Sequence, residues 1–139
     1  MLPSTLQNDH FIWHLSNRVE GVARVQDEIL SKFDLTYSNF AMLSFIAALP
    51  GISQKNLAEY MDLNANGIVT GLDDLVSKGL INRARKHADR GKTGAEITRR
   101  GRQILAAAEI ALSRHSSSIQ QACSNAGISD LSAILGSVA

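Results

Sequence analysis

The sequence predicts a mainly α-helical fold with one small β-hairpin, and three observations carry that expectation. Apolar residues recur at helical spacing along most of the chain. Most helical stretches open on a Ser, Thr or Asn placed to cap them. Only between Leu80 and Ile97 does the pattern shorten to the two-residue period of strands. The 139 residues suffice for one domain with a modest core. An aromatic content of 5%, with only Pro3 and Pro50 as prolines, favours helices over a β-sandwich.

The first helix is expected from about Asn8 to Phe33, where Phe11, Leu15, Val19, Val22, Ile29 and Phe33 recur on one face. Thr36 or Ser38 can cap a second helix covering Phe40 to Leu49, apolar nearly all round and therefore placed at the centre of the core. Pro50-Gly51 breaks the chain. Ser53 can cap a helix from Gln54 to Met61, Asp62-Leu63 makes a turn, and Asn64 can cap a helix from Ala65 to Lys78. In that last helix Ile68, Leu72 and Leu75 form an apolar stripe, widened by Val69 and Val76, and Gly79 stops it. Two short helices joined by a tight turn, with one stripe to bury, form a helix-turn-helix pattern.

Leu80 to Lys86 suits a strand with Arg83 and Arg85 on one face, and Ala95 to Ile97 suits its return, with a charged tip from His87 to Gly94. Thr98 can cap a long helix from Arg99 to Cys123 carrying Ile104, Ala108, Leu112, Ile119 and Ala122 as a stripe. Ser129 can cap a final helix presenting Leu131, Ile134, Leu135 and Val138. The middle of the chain already makes a compact unit. The first and last helices are therefore expected to bury their stripes against each other and against a second copy, as a two-fold homodimer.

Charge is the main clue to function. A net charge of +1 hides a strip of nine basic residues between Lys78 and Arg102, opposed only by Asp89 and Glu96. The remaining chain carries five basic and eleven acidic residues. Such a local cationic field suits a polyanion such as double-stranded DNA. Lys and Arg on the hairpin can neutralise phosphates, while Asn66 and Thr70, one turn apart near a helix start, can reach base edges. A competing reading makes the strip a solvated surface, with Arg83 or Arg85 paired to an acidic residue of the body.

Other classes are excluded or weakened. The longest apolar run, Ala41 to Leu49, is about half a membrane span, and no basic-then-apolar leader opens the chain. Cys123 is the only cysteine, which fits a reducing cytoplasm. No phosphate loop, HExxH or nucleophile elbow occurs, so no enzyme and no cofactor is expected.

Three stretches resemble the multiple-antibiotic-resistance regulator (MarR) family. They are Ile52-Ser-Gln-Lys-Asn-Leu-Ala-Glu-Tyr-Met-Asp-Leu-Asn64, Leu75-Val-Ser-Lys-Gly-Leu-Ile81, and Asp89-Arg90 followed by Ile97-Thr98-Arg-Arg-Gly101. The resemblance implies a winged helix-turn-helix repressor that binds DNA as a homodimer and releases it on binding a small molecule. It assigns residues 36–101 to the DNA-binding region, and residues 1–35 and 102–139 to a helical dimerisation region. The helix from Ala65 to Lys78 would enter the major groove, and the hairpin from Arg83 to Ile97 would be the wing. The implied DNA-binding residues are Ser53, Gln54, Asn64, Ala65, Asn66, Gly67 and Thr70, with Arg83, Arg85, Lys86, Arg90 and Lys92 on the hairpin. Family members often carry arginine where this chain has Thr70 and Asp74, and a wing-tip arginine where it has Gly91. Direct readout is therefore less cationic here, with Arg90 or Lys92 left to supply the wing contact. Lys78, one turn after Asp74, offers that carboxylate a weak neutralising pair. Gly67 and Gly71 fit either a close backbone approach to DNA or tight helix packing.

Trp13, His14, Asn17 and Arg18 are candidate effector-binding residues, Arg18 suiting an aromatic acid. Dimer packing is the competing role for that segment. His10 and His14 share a helix face, with His115 elsewhere, but no ligand set completes a metal site. Cys123 is either an oxidation sensor or a small packing residue. Two functional alternatives to a DNA-binding repressor remain: a winged protein-interaction module and a metal-responsive regulator.

Overall fold

Among the described residues, six helices and one hairpin run in the order α1 (Phe11–Ser31), α2 (Tyr37–Ala48), α3 (Gln54–Met61), α4 (Ala65–Ser77), β1 (Ile81–Arg83), β2 (Ala95–Ile97), α5 (Arg99–Asn125) and α6 (Leu131–Gly136). The computed structural model describes residues 11–83 and 94–137, leaving aside the side chains of residues 11–14, 131, 132 and 134.

Local chemistry explains where the helices begin. Thr36 Oγ1 accepts the Asn39 backbone N–H at 3.1 Å while Asn39 Oδ1 accepts that of Thr36 at 3.2 Å, a reciprocal capping box that opens α2. Ser53, Asn64 and Thr98 each accept the N–H three residues on, at 3.0, 2.8 and 2.9 Å, opening α3, α4 and α5 as expected. The final helix differs from expectation. Its cap is Asp130, whose Oδ1 accepts the Ala133 N–H at 2.9 Å, and not Ser129. A carboxylate there also meets the positive end of the helix dipole, which a hydroxyl does not. Val138 lies outside the described residues.

Gly79 closes α4 at φ +71°, with the Leu80 N–H returning to the Leu75 carbonyl at 3.0 Å. The chain then enters a two-stranded antiparallel hairpin whose partners are Ile81 with Ile97, Asn82 with Glu96, and Arg83 with Ala95. The predicted continuation of β1 through Lys86, and the tip up to residue 93, lie outside the described residues.

The core gathers on α2, as the all-round apolar pattern implies. Met42, Leu43 and Ile46 meet Leu57 of α3, Ile68, Leu72 and Leu75 of α4, Ile81 of β1, and Leu105 and Ala108 of α5. Each fully buried Leu or Ile contributes roughly 1.5–3 kcal/mol relative to exposure. One expectation about buried faces needs correction. Val69 and Val76 do not widen the α4 stripe, since both are 42% exposed. Their positions fall one residue beyond Ile68 and Leu75, about 100° around the helix. On α5 the fully packed neighbours are Leu105 and Ala108, Ala122 being exposed. Among the described side chains of α1 only Leu30 reaches the core, while Leu15, Val19, Val22 and Val25 stay exposed along one side of the helix. α1 otherwise packs along α5.

Candidate nucleic-acid interface

The α4 helix turns one face inward and the opposite face to solvent. Ile68, Leu72 and Leu75 are buried, whereas Asn66, Val69, Thr70 and Asp73 are exposed. The 3.6-residue period places those four along one outward strip that begins in the first turn. Asn64 holds that first turn by accepting the Gly67 N–H, and Ala65 is exposed beside it. Ser53 and Gln54 open α3, the helix packed against α4. The Ser53 oxygen caps by accepting from Asn56 N–H, leaving its own hydroxyl proton available. The positive N-terminal end of α3 and that proton suit an anion.

The two helix glycines separate. A Cβ on Gly71 would lie 2.5 Å from Met42 Cε, so that glycine lets α4 pack closely on α2. A Cβ on Gly67 would meet only ordinary contacts, 3.5 Å from Asn64 and Leu63.

Asp74 does not share the outward strip. Its Oδ2 accepts a 2.9 Å hydrogen bond from Asn39 Nδ2 and lies 3.4 Å from Lys78 Nζ. Lys78 in turn donates to the Asp34 carbonyl at 2.7 Å and to Asn39 Oδ1 at 3.3 Å. Asn39 is only 5% exposed, so this network ties the end of α4 to the α1–α2 junction. The sequence signal for its Asp74–Lys78 pair is their one-turn spacing, whereas no local pattern brings Asn39 to them.

The basic strip is thus divided among partners. Lys78 is engaged by the network, and the Arg83 guanidinium lies 3.9 Å from Asp73. Arg99, Arg100 and Arg102 are exposed on the first turn of α5. Arg85, Lys86, Arg90 and Lys92 lie outside the described residues. A second tie fixes the hairpin base. Thr98 donates its hydroxyl to the Gly79 carbonyl at 2.7 Å and its N–H to the Leu80 carbonyl at 2.9 Å. Gly101 lies so close to Leu80 that any Cβ there would overlap the Leu80 carbonyl oxygen.

Among the candidate effector residues, Asn17 and Arg18 are exposed on α1, and the side chains of Trp13 and His14 lie outside the described set. A cavity of about 380 Å3 lies between α2 and α3, walled by Tyr37, Phe40, Ala41, Phe45, Tyr60 and Met61. Phe45 and Tyr60 stack there with ring centroids 5.3 Å apart. Among the described residues no three His, Cys, Asp or Glu side chains gather as a metal set; His10 falls outside them. His115 and Cys123 are both half-buried on α5. Within the described residues no helix is long and apolar enough to cross a membrane.

Comparison with known proteins places this geometry. Residues 33–92 match the sequence profile of the MarR family. Over 75 residues the chain is 40% identical to a protein of Thauera aromatica named as the transcriptional regulatory protein for the hcr operon. That match spans 54% of this chain and 45% of the relative, less than half of its length. The fold superposes on the transcriptional repressor CouR bound to a 23-mer DNA duplex with a TM-score of 0.83, at 23% identity, over 99% of this chain and 98% of CouR. The same repressor bound to p-coumaroyl-CoA gives a TM-score of 0.76 at 22% identity, over 99% and 95% of the two chains. A MarR family protein of Mycobacterium tuberculosis in complex with DNA gives 0.63 at 27% identity, over 78% and 81%. Its complex with salicylic acid gives 0.60 at 26%, over 77% and 80%.

Proposed function

We propose, from the match of residues 33–92 to the MarR family profile, that this chain is a member of that family and a ligand-responsive transcriptional repressor. It binds a pseudo-palindromic operator as a homodimer in the cytoplasm. The observation that carries this reading is the outward strip of α4. A helix capped at Asn64 and anchored at both ends offers Asn66 and Thr70 to solvent, and the basic stretch from Lys78 to Arg102 follows it in the sequence. Polar side chains near the start of such a helix reach base edges in the major groove. The first turn of α3 and the hairpin cations, Arg83, Arg85, Lys86, Arg90 and Lys92, hold phosphates and set register.

The exposed α1 stripe of Leu15, Val19, Val22 and Val25 supports a second copy as its cover. Residues 1–35 and 102–139 then form the dimerisation region, and residues 36–101 the DNA-binding lobe. For the effector we propose an aromatic acid or its thioester, in keeping with the salicylic acid and p-coumaroyl-CoA held by the structural relatives. Arg18 and Trp13 of α1 are the proposed recognition residues. Binding there shifts the population of lobe spacings that fit the operator. No catalytic role is proposed.

Selection of bound fragments from the source genome tests the reading. Enriched fragments should share an inverted repeat with half-sites about one helical turn apart. Recovery of no common sequence by a folded dimer would contradict it.

A further inference from the structure

We propose that the reading helix selects A·T base pairs, with Asn66 on an adenine edge and the Val69 isopropyl group on a thymine methyl. The inference rests on the DNA-binding reading above and deepens it from affinity to specificity. Three observations converge on α4. Its outward strip holds an amide, an isopropyl group and a hydroxyl, in Asn66, Val69 and Thr70. Ile68, Leu72 and Leu75 are fully buried, whereas Val69 and Val76 are each 42% exposed, and of those two Val69 is the one near the helix start, between Asn66 and Thr70. No lysine or arginine stands on α4 itself, and the cation at its end, Lys78, is held by Asp34, Asn39 and Asp74.

The chemistry of base edges then narrows the choice. Guanine presents two acceptors in the major groove, which arginine or lysine satisfies, and α4 brings neither. Adenine presents a donor beside an acceptor, which matches the carboxamide of Asn66. Thymine alone presents a methyl group, whose apolar contact here is Val69, one turn from Asn66 along the same strip. Asp73, the charged member of the strip, stands two turns from the helix start and beside Arg83.

Modified duplexes test this with the intact protein. Replacing dT by dU removes the 5-methyl and leaves the pairing edge unchanged. At one position in a single half-site, that replacement should weaken wild-type binding about three- to fivefold, the ratio expected for one buried methyl. Val69→Ala should bind the dT and dU duplexes equally. Its exposed helical position and the helix preference of alanine keep folding intact. Replacing a neighbouring dA by its 7-deaza analogue should weaken wild type and leave Asn66→Ala unchanged. Uracil sensitivity that is absent, or that survives Val69→Ala, overturns the proposal while leaving DNA binding standing. Failure of wild type to bind any duplex at low salt removes both readings together.

Discussion

The Lys78 ammonium is surrounded by oxygens of Asp34, Asn39 and Asp74, so it has little left to offer a phosphate. Two consequences follow from that placement. Lys78→Ala should lower unfolding stability by about 1.5–3 kcal/mol, the range for a lost hydrogen bond to a charged group. It should leave the salt dependence of DNA binding unchanged, because slope counts phosphates neutralised. Urea unfolding and salt titration of the same variant check both, and a slope reduced by about one would place Lys78 on DNA. Asn39→Ala should cost a similar amount by removing the donor to Asp74, a partly buried carboxylate. Gly101 is the other position where a single atom decides. Its missing Cβ admits the Leu80 carbonyl, and Gly101→Ala should cost about 1–3 kcal/mol through overpacking, read as a lower urea midpoint.

Among elements, α4 combines structural and recognition demands on opposite faces. The same substitution at its two glycines should have different outcomes. Gly67→Ala meets only ordinary contacts and should stabilise the fold by roughly 0.5–1 kcal/mol. Gly71→Ala must displace the end of Met42 and should gain less or lose stability, which thermal unfolding of the pair resolves. Element order, the four caps at Thr36, Ser53, Asn64 and Thr98, and the Gly79 stop were legible because each depends on residues within three or four positions. The outward exposure of Val69 was harder to read, since an isopropyl group adjacent to a buried stripe looks like part of it. The Asn39–Asp74–Lys78 network was less legible still. Its Asp74–Lys78 pair follows from the one-turn spacing, but Asn39 lies 35 and 39 positions from those two residues, and no local pattern announces that meeting. Of the candidate site, the helix residues could be placed on α3 and α4, whereas two cations of the charge strip, Arg83 and Lys78, proved to face Asp73 and the Asp34–Asn39–Asp74 cluster.

At the scale of the whole molecule, the described core gathers around α2 while α1 keeps Leu15, Val19, Val22 and Val25 in solvent. Exposed aliphatic stripes of this kind mark association surfaces. A second copy is the proposed cover, and Val19→Glu should shift the protein from dimer to monomer in sedimentation equilibrium. A variant that remains dimeric would move the interface elsewhere. Because two lobes must enter successive major grooves, the monomeric variant should also lose most operator affinity. On the proposed reading, affinity comes from cations flanking α4, and selectivity from Asn66, Val69 and Thr70 of its outward strip. The measurement that bears most directly on this division is the equilibrium affinity of the folded dimer for a duplex across a series of salt concentrations. Binding should weaken steeply with salt, by about a thousandfold or more between roughly 50 and 200 mM if six or more phosphates are engaged, with a shallower slope after Arg85→Ala or Arg90→Ala. A folded dimer that binds no duplex at low salt, or binds with a slope that salt and these arginines do not affect, would contradict DNA as the partner and favour a protein-interaction module.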